Sequence, residues 1–192
     1  NGPIISKKGE NLTIRDVFEK FASSHDNTTI IELRKLKNAL DSGQLYFDAI
    51  HKHLCRVNDT EYFAKENLIF DIEKTDAAIE KFMTNEYIFL KEITHFGSFP
   101  TTTFHWNEYL LETYVAFFSY RYKLIHTNFN ETQCLGAIVS RDSKISTLYD
   151  LVVRVLRDSK IELVKEKALD YLYENRLLGR RSYADIDNAL SD

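Results

Sequence analysis

The sequence predicts a mainly helical α+β protein with short antiparallel β-hairpins. Three observations carry this expectation. Six Gly and two Pro in 192 residues leave few chain breakers, so regular elements with few tight turns are expected. Apolar residues recur at helical spacing in several stretches that open on Ser, Thr or Asp caps. Between them stand short apolar runs joined by Asn-rich turns, which read as paired strands. A hydrophobic fraction of 44%, with 13% aromatics, excludes global disorder and can fill a core without disulfide or metal staples.

The elements follow in order. Residues 1–12 read as a linker. Thr13 opens a helix with Asp16 as its capping-box partner, and Ile14, Val17, Phe18 and Phe21 share one face. After a polar turn at 23–27, Thr29 and Glu32 make a second capping box. Leu33, Leu36 and Leu40 form that helix's buried stripe, and Gly43 stops it. A third helix is expected over 45–53. Residues 54–57 and 62–63 read as strands around Asn58-Asp59, with a further strand at 68–70.

Asp71 caps the next helix, whose Ile72, Ala78, Ile79, Phe82 and Met83 face inward. Residues 87–90 read as a strand or an irregular buried segment. Residues 94–103 carry Gly97, Pro100 and three consecutive Thr, the best domain boundary in the chain. Two domains, 13–93 and 94–192, are therefore expected. The aromatic cluster Phe96, Phe99, Phe104, Trp106 and Tyr109 reads as the hinge between them. A strongly apolar helix covers 106–120. Strands at 122–129 and 134–139 flank the turn 130–132, and the tail is helical over 147–157, 161–174 and 183–190.

The order helix, helix, helix, hairpin across 13–63 resembles a winged-helix domain. The resemblance implies a third helix in the DNA major groove and a hairpin on the backbone. A looser resemblance runs from Thr147 to the end, with 161–174 as the recognition-type helix and 177–181 as a wing strand. The expected fold is thus two winged-helix-like modules around the central segment 71–120.

Charge distribution agrees with one basic binding face. The chain carries 25 Lys+Arg against 29 Asp+Glu, a formal charge of −4, which excludes a generally basic coat. From Arg34 to Arg56 five bases face two acids, a local balance of +3. Phosphate binding needs such a surface, because released counterions supply most of the affinity. Arg34, Lys35, Lys37, Lys52 and Arg56 are the candidate phosphate contacts, and His51 and His53 can add charge. Gln44 and Lys52 are the candidate base readers, and Arg180 and Arg181 are the least self-neutralised cations of the tail. Residues 57–92 hold nine acids and four bases and read as a solvated helix face.

Other chemistry is thin. Cys55 and Cys134 form no Cys-x-x-Cys pair and read as reduced, buried thiols of a cytoplasmic protein. Four Asn-x-Thr sequons, at Asn11, Asn27, Asn58 and Asn130, read as caps and turns. The histidines lack zinc-ligand spacing, and there is no Gly-rich phosphate loop or nucleophile elbow. Asp142-Ser143-Lys144 has the Asp-x-Lys form of a metal-dependent nuclease, with Glu131 or Glu112 as the further carboxylate. A charged turn before a helix is the simpler reading of it.

No metal or cofactor is therefore expected. The longest apolar run, 110–118, is too short to span a membrane. The leading expectation is a non-catalytic nucleic-acid-binding or regulatory module of a larger intracellular protein, with duplex DNA as partner. The alternatives are a protein-interaction or scaffolding domain, its partner another protein or a second copy, and last a nuclease.

Overall fold

The computed structural model describes residues 12–192, so all but the last residue of the expected linker lies outside the described residues. The chain is an α+β fold, mostly helical, with two small three-stranded antiparallel sheets. It separates into two compact units, one ending at Ile69 and the other spanning Phe70–Asp192.

The first unit runs α1 (Ile14–Ser23), β1 (Asn27–Thr29), α2 (Ile30–Ala39), α3 (Phe47–Ile50), β2 (Leu54–Arg56) and β3 (Glu61–Ala64). Both expected capping boxes are present. Thr13 accepts from the Asp16 N–H and Thr29 from the Glu32 N–H, while each carboxylate accepts from the cap's own N–H. Those boxes satisfy donors that a helix start otherwise leaves unpaired. The core holds Phe18, Leu33, Ile50, Leu54 and Tyr62, all fully buried. Each contributes about 1.5–3 kcal/mol of burial.

Three expectations fail here for physical reasons. The third helix is one turn, 47–50, because Tyr46 offers no side-chain cap and the chain turns through 51–53. The His51 ring is buried and bonds through Nδ1 to the Leu54 carbonyl, 2.9 Å away, so it serves that turn. The segment 68–70 alternates like a strand but pairs with none: Leu68 is buried, Ile69 is 75% exposed and Phe70 packs on Trp106 and Tyr114. Conversely, β1 forms where the sequence predicts a polar turn and a helix cap. It pairs antiparallel with β3, Thr28 opposite Tyr62, giving the sheet order β1-β3-β2.

The second unit contains α4 (Ile72–Glu80), β4 (Tyr87–Phe89), α5 (Glu108–Phe117), β5 (Tyr122–Ile125), β6 (Ala137–Ser140), α6 (Leu148–Asp158), α7 (Lys165–Glu174) and α8 (Ile186–Ser191). β5 and β6 pair antiparallel as expected, but as shorter strands joined by the longer connection 126–136, and β4 pairs with the other edge of β6 to give the order β4-β6-β5. Gly136 enters β6 at φ +106, and a Cβ there would lie 2.4 Å from the Ile125 carbonyl oxygen. Only glycine permits that approach.

The residues of the expected boundary, 94–103, belong to this unit. Phe96 and Phe99 pack with Trp106 in a core that includes Ile79, Leu111 and Tyr114. The Trp106 indole N–H donates to the Pro100 carbonyl at 2.7 Å, tying the Thr-rich loop down. The expected wing strand at 177–181 is not a strand. Arg176 takes φ 54, the chain reverses, and Leu177 and Leu178 enter the core formed with α6, α7 and α8.

Candidate functional site

In the first unit the candidate cations divide into two groups. α2 buries Ile30 and Leu33, so its opposite face presents Ile31, Arg34, Lys35 and Asn38 to solvent. Lys37 is half-buried beside them. No acid occurs between Arg34 and Leu40, so this half-helix is locally cationic. Gln44 is exposed in the following turn, where its carbonyl accepts from the Ser42 hydroxyl at 2.7 Å.

Lys52 and Arg56 have partners elsewhere in the unit. Lys52 pairs with Glu19 of α1 at 2.5 Å, and Asp48 pairs with Arg15 of the same helix. The charges of Asp48 in α3 and of Lys52 in the turn after it thus face α1. Arg56 is only 3% exposed. Its Nε donates to the Asn58 carbonyl at 3.0 Å and a terminal nitrogen to the Asp59 carbonyl at 2.7 Å, with the Tyr62 ring 5.8 Å away. It clamps the β2–β3 turn from inside. A planar guanidinium with five fixed donors suits that geometry. Composition could not separate these two groups, because the partners of Lys52 and Asp48 lie some thirty residues upstream.

In the second unit Arg180 and Arg181 are exposed after the reversal at 176–178. Arg181 pairs with Asp170 through Nε and lies over the Tyr173 ring at 4.6 Å. Lys165 pairs with Asp187 at 2.7 Å, and Lys167 with Glu162 at 2.5 Å. Each of these pairs joins a residue of α7 (Lys165, Lys167 or Asp170) to one outside the helix. Arg180 makes no ion pair among the described residues. It lines a cavity of about 720 Å³ together with Lys165 and Arg181.

Sequence reading missed one buried polar site. Asp76, 1% exposed, accepts from the Tyr114 hydroxyl at 2.8 Å, the Ser119 hydroxyl at 2.6 Å and the Tyr120 and Arg121 N–H groups at 3.2 and 3.0 Å. Burial first, and then this carboxylate, push the Tyr114 phenol far above its ordinary pKa. The signal was available: Ile72, Asp76 and Ile79 share one helical face.

The nuclease pattern finds no such convergence. Asp142 is exposed, and its N–H donates to the Ser140 hydroxyl. Among the described residues no group of three or more His, Cys, Asp or Glu is placed to hold a metal ion. Both cysteines are buried and unbridged, and burial pushes the Cys55 thiol up to about 12. Among the described residues no helix is long and apolar enough to cross a membrane. No protein-family model, curated protein or solved structure matches the chain.

Proposed function

We propose that the chain is a non-catalytic nucleic-acid-binding regulatory module whose first unit is a winged-helix domain docking on duplex phosphates through α2. The observation that carries this is topological. The order α1-β1-α2-α3-β2-β3, with β1 paired to the far strand of the hairpin, is the arrangement on which winged-helix domains are built. Arg34, Lys35 and Lys37 supply a cationic half-helix with no acid among them. Contact is mainly with the backbone, since Lys52 is committed to Glu19 and Arg56 to the hairpin turn, which leaves Gln44 as the remaining candidate base reader. Such binding is weakly sequence-selective and strongly salt-dependent. A cytoplasmic setting belongs to the same reading, supported by two unbridged buried thiols. The test is a titration of a labelled duplex across a salt series, with wild type and the Arg34→Ala/Lys35→Ala/Lys37→Ala variant.

One observation favours a second reading, a winged-helix domain that contacts protein. The surface of α3 is neutralised against α1, and Ile31, 56% exposed, sits among the α2 cations. An acidic, apolar-containing partner segment fits that face. This reading is supported if the chain shows no duplex affinity at low salt, and if Ile31→Glu abolishes association that light scattering detects.

A further inference from the structure

The cavity of about 720 Å³ in the second unit has an unusual lining. Every charged side chain on its wall is positive: Lys165, Arg180 and Arg181. The two acids that pair with them, Asp187 and Asp170, are not on the wall. The five groups together carry +1, but the charge is polarised, with cations inward.

Donor capacity remains after pairing. Arg181 engages Asp170 through Nε, and its terminal nitrogens donate to nothing among the described residues. Among the described residues Arg180 bonds through none of its side-chain donors. The backbone N–H groups of Gly179, Arg180 and Arg181 also donate to no acceptor among the described residues. Backbone donors left by the protein are completed by water or a ligand. Successive free N–H groups beside guanidinium forks suit an oxyanion with several acceptor oxygens. The rest of the wall is mixed: Thr127, Asn128, Asn130 and Ser182 are polar, while Leu169, Leu178 and the half-buried Tyr183 supply an apolar and aromatic part. The volume lies in the range of small-ligand sites.

We propose that this cavity binds a phosphate ester carrying a nucleobase. Lys165, Arg180 and Arg181 hold the phosphoryl oxygens, and Tyr183 with Leu169 and Leu178 provides the face against which the base lies. The ligand is either a free nucleotide or one nucleotide of a single strand, since both present the same phosphate and base. The site is independent of α2 and does not rest on the winged-helix reading.

Calorimetric titration of the full chain with adenosine 5′-monophosphate, with orthophosphate and with an eight-nucleotide oligo-dT tests it. Saturable binding of the monophosphate is expected, tighter than orthophosphate by tenfold or more. Arg180→Ala should weaken it at least tenfold without moving the thermal midpoint, because Arg180 has no side-chain partner among the described residues, and Arg180→Lys should restore part of the loss. The Arg34→Ala/Lys35→Ala/Lys37→Ala variant should bind the monophosphate as wild type does, which separates this site from the duplex reading. Oligo-dT that competes with the monophosphate and binds more tightly identifies a strand as the source, and the converse identifies the free nucleotide. Absence of binding by all three probes at millimolar concentration, or unchanged affinity in Arg180→Ala, overturns the proposal. Orthophosphate binding as tight as the monophosphate overturns the base-binding half of it.

Discussion

Asp76 shows what one buried charge can organise. Four donors from α5 and the turn between it and β5 converge on its carboxylate. Asp76→Asn keeps the shape but turns one acceptor into a donor facing donors. Each buried donor left unpaired costs about 1–3 kcal/mol. The variant should lose on the order of 3 kcal/mol in denaturant unfolding, with Asp76→Ala losing at least as much. A loss under half a kcal/mol would show that water replaces the carboxylate. Arg56 makes the contrasting case among the cations. Because it clamps the hairpin turn, Arg56→Ala should lower stability by about 1–3 kcal/mol and leave the salt slope of duplex binding unchanged. A changed slope at full stability would instead place Arg56 among the phosphate contacts.

At the scale of elements, helix caps and one histidine give the fold its pH response. Asp150 is held down to about 2, mainly by the Ser146 N–H and then by the Ser146 and Thr147 hydroxyls around the start of α6. Glu32 is lowered by the Thr28 hydroxyl and the Thr29 N–H, and Asp16 by Thr13. A carboxylate lowered on folding stabilises above its unfolded pKa and loses that effect as pH falls toward its folded value. These caps therefore weaken from about pH 4 downward, and for Asp150 the loss extends to about pH 2.

His126, at the end of β5, acts higher. Burial lowers its pKa below 6.5, outweighing a backbone hydrogen bond with Asn128 that raises it, and its Nδ1 has no hydrogen-bond partner among the described residues. The unfolded chain takes up that proton more readily, so stability falls as pH drops through 6.5. His126→Gln should flatten the thermal midpoint between pH 7.5 and 5.5, a range over which wild type declines. Parallel curves for the two proteins would remove His126 from the account.

The elements also show what a sequence discloses. The capping boxes at Thr13 and Thr29 were legible because their partners lie three residues away, and the β5–β6 pairing because two apolar runs follow each other closely, although the connection between them, 126–136, is longer than the expected turn at 130–132. β1 was not, since three polar residues acquire strand character only by pairing with β3, thirty residues on. The same limit hid the site. The α2 cations were visible as a run, but the commitment of Lys52 to Glu19 and of Arg56 to its own turn depends on tertiary placement. The cavity at Arg180 was visible only as a pair of arginines.

For the whole molecule, the formal charge of −4 conceals separate local fields. The three buried apolar clusters each draw on one unit alone, residues up to 64 in one and from 70 onward in the others. Limited proteolysis should accordingly cut near the exposed Ile69 and leave two resistant fragments. Early cleavage at 94–103 instead would contradict the packing of Phe96 and Phe99 against Trp106. The nucleic-acid reading rests on three cations of one half-helix, and salt tests it most directly. Three neutralised phosphates imply a slope of about −2.7 in log affinity against log salt, or a loss of roughly 40-fold between 50 and 200 mM. Fluorescence anisotropy of a labelled duplex should show that slope in wild type and near-complete loss of affinity in Arg34→Ala/Lys35→Ala/Lys37→Ala. Binding that is absent at 50 mM salt, or that keeps its affinity in the triple variant, would contradict it.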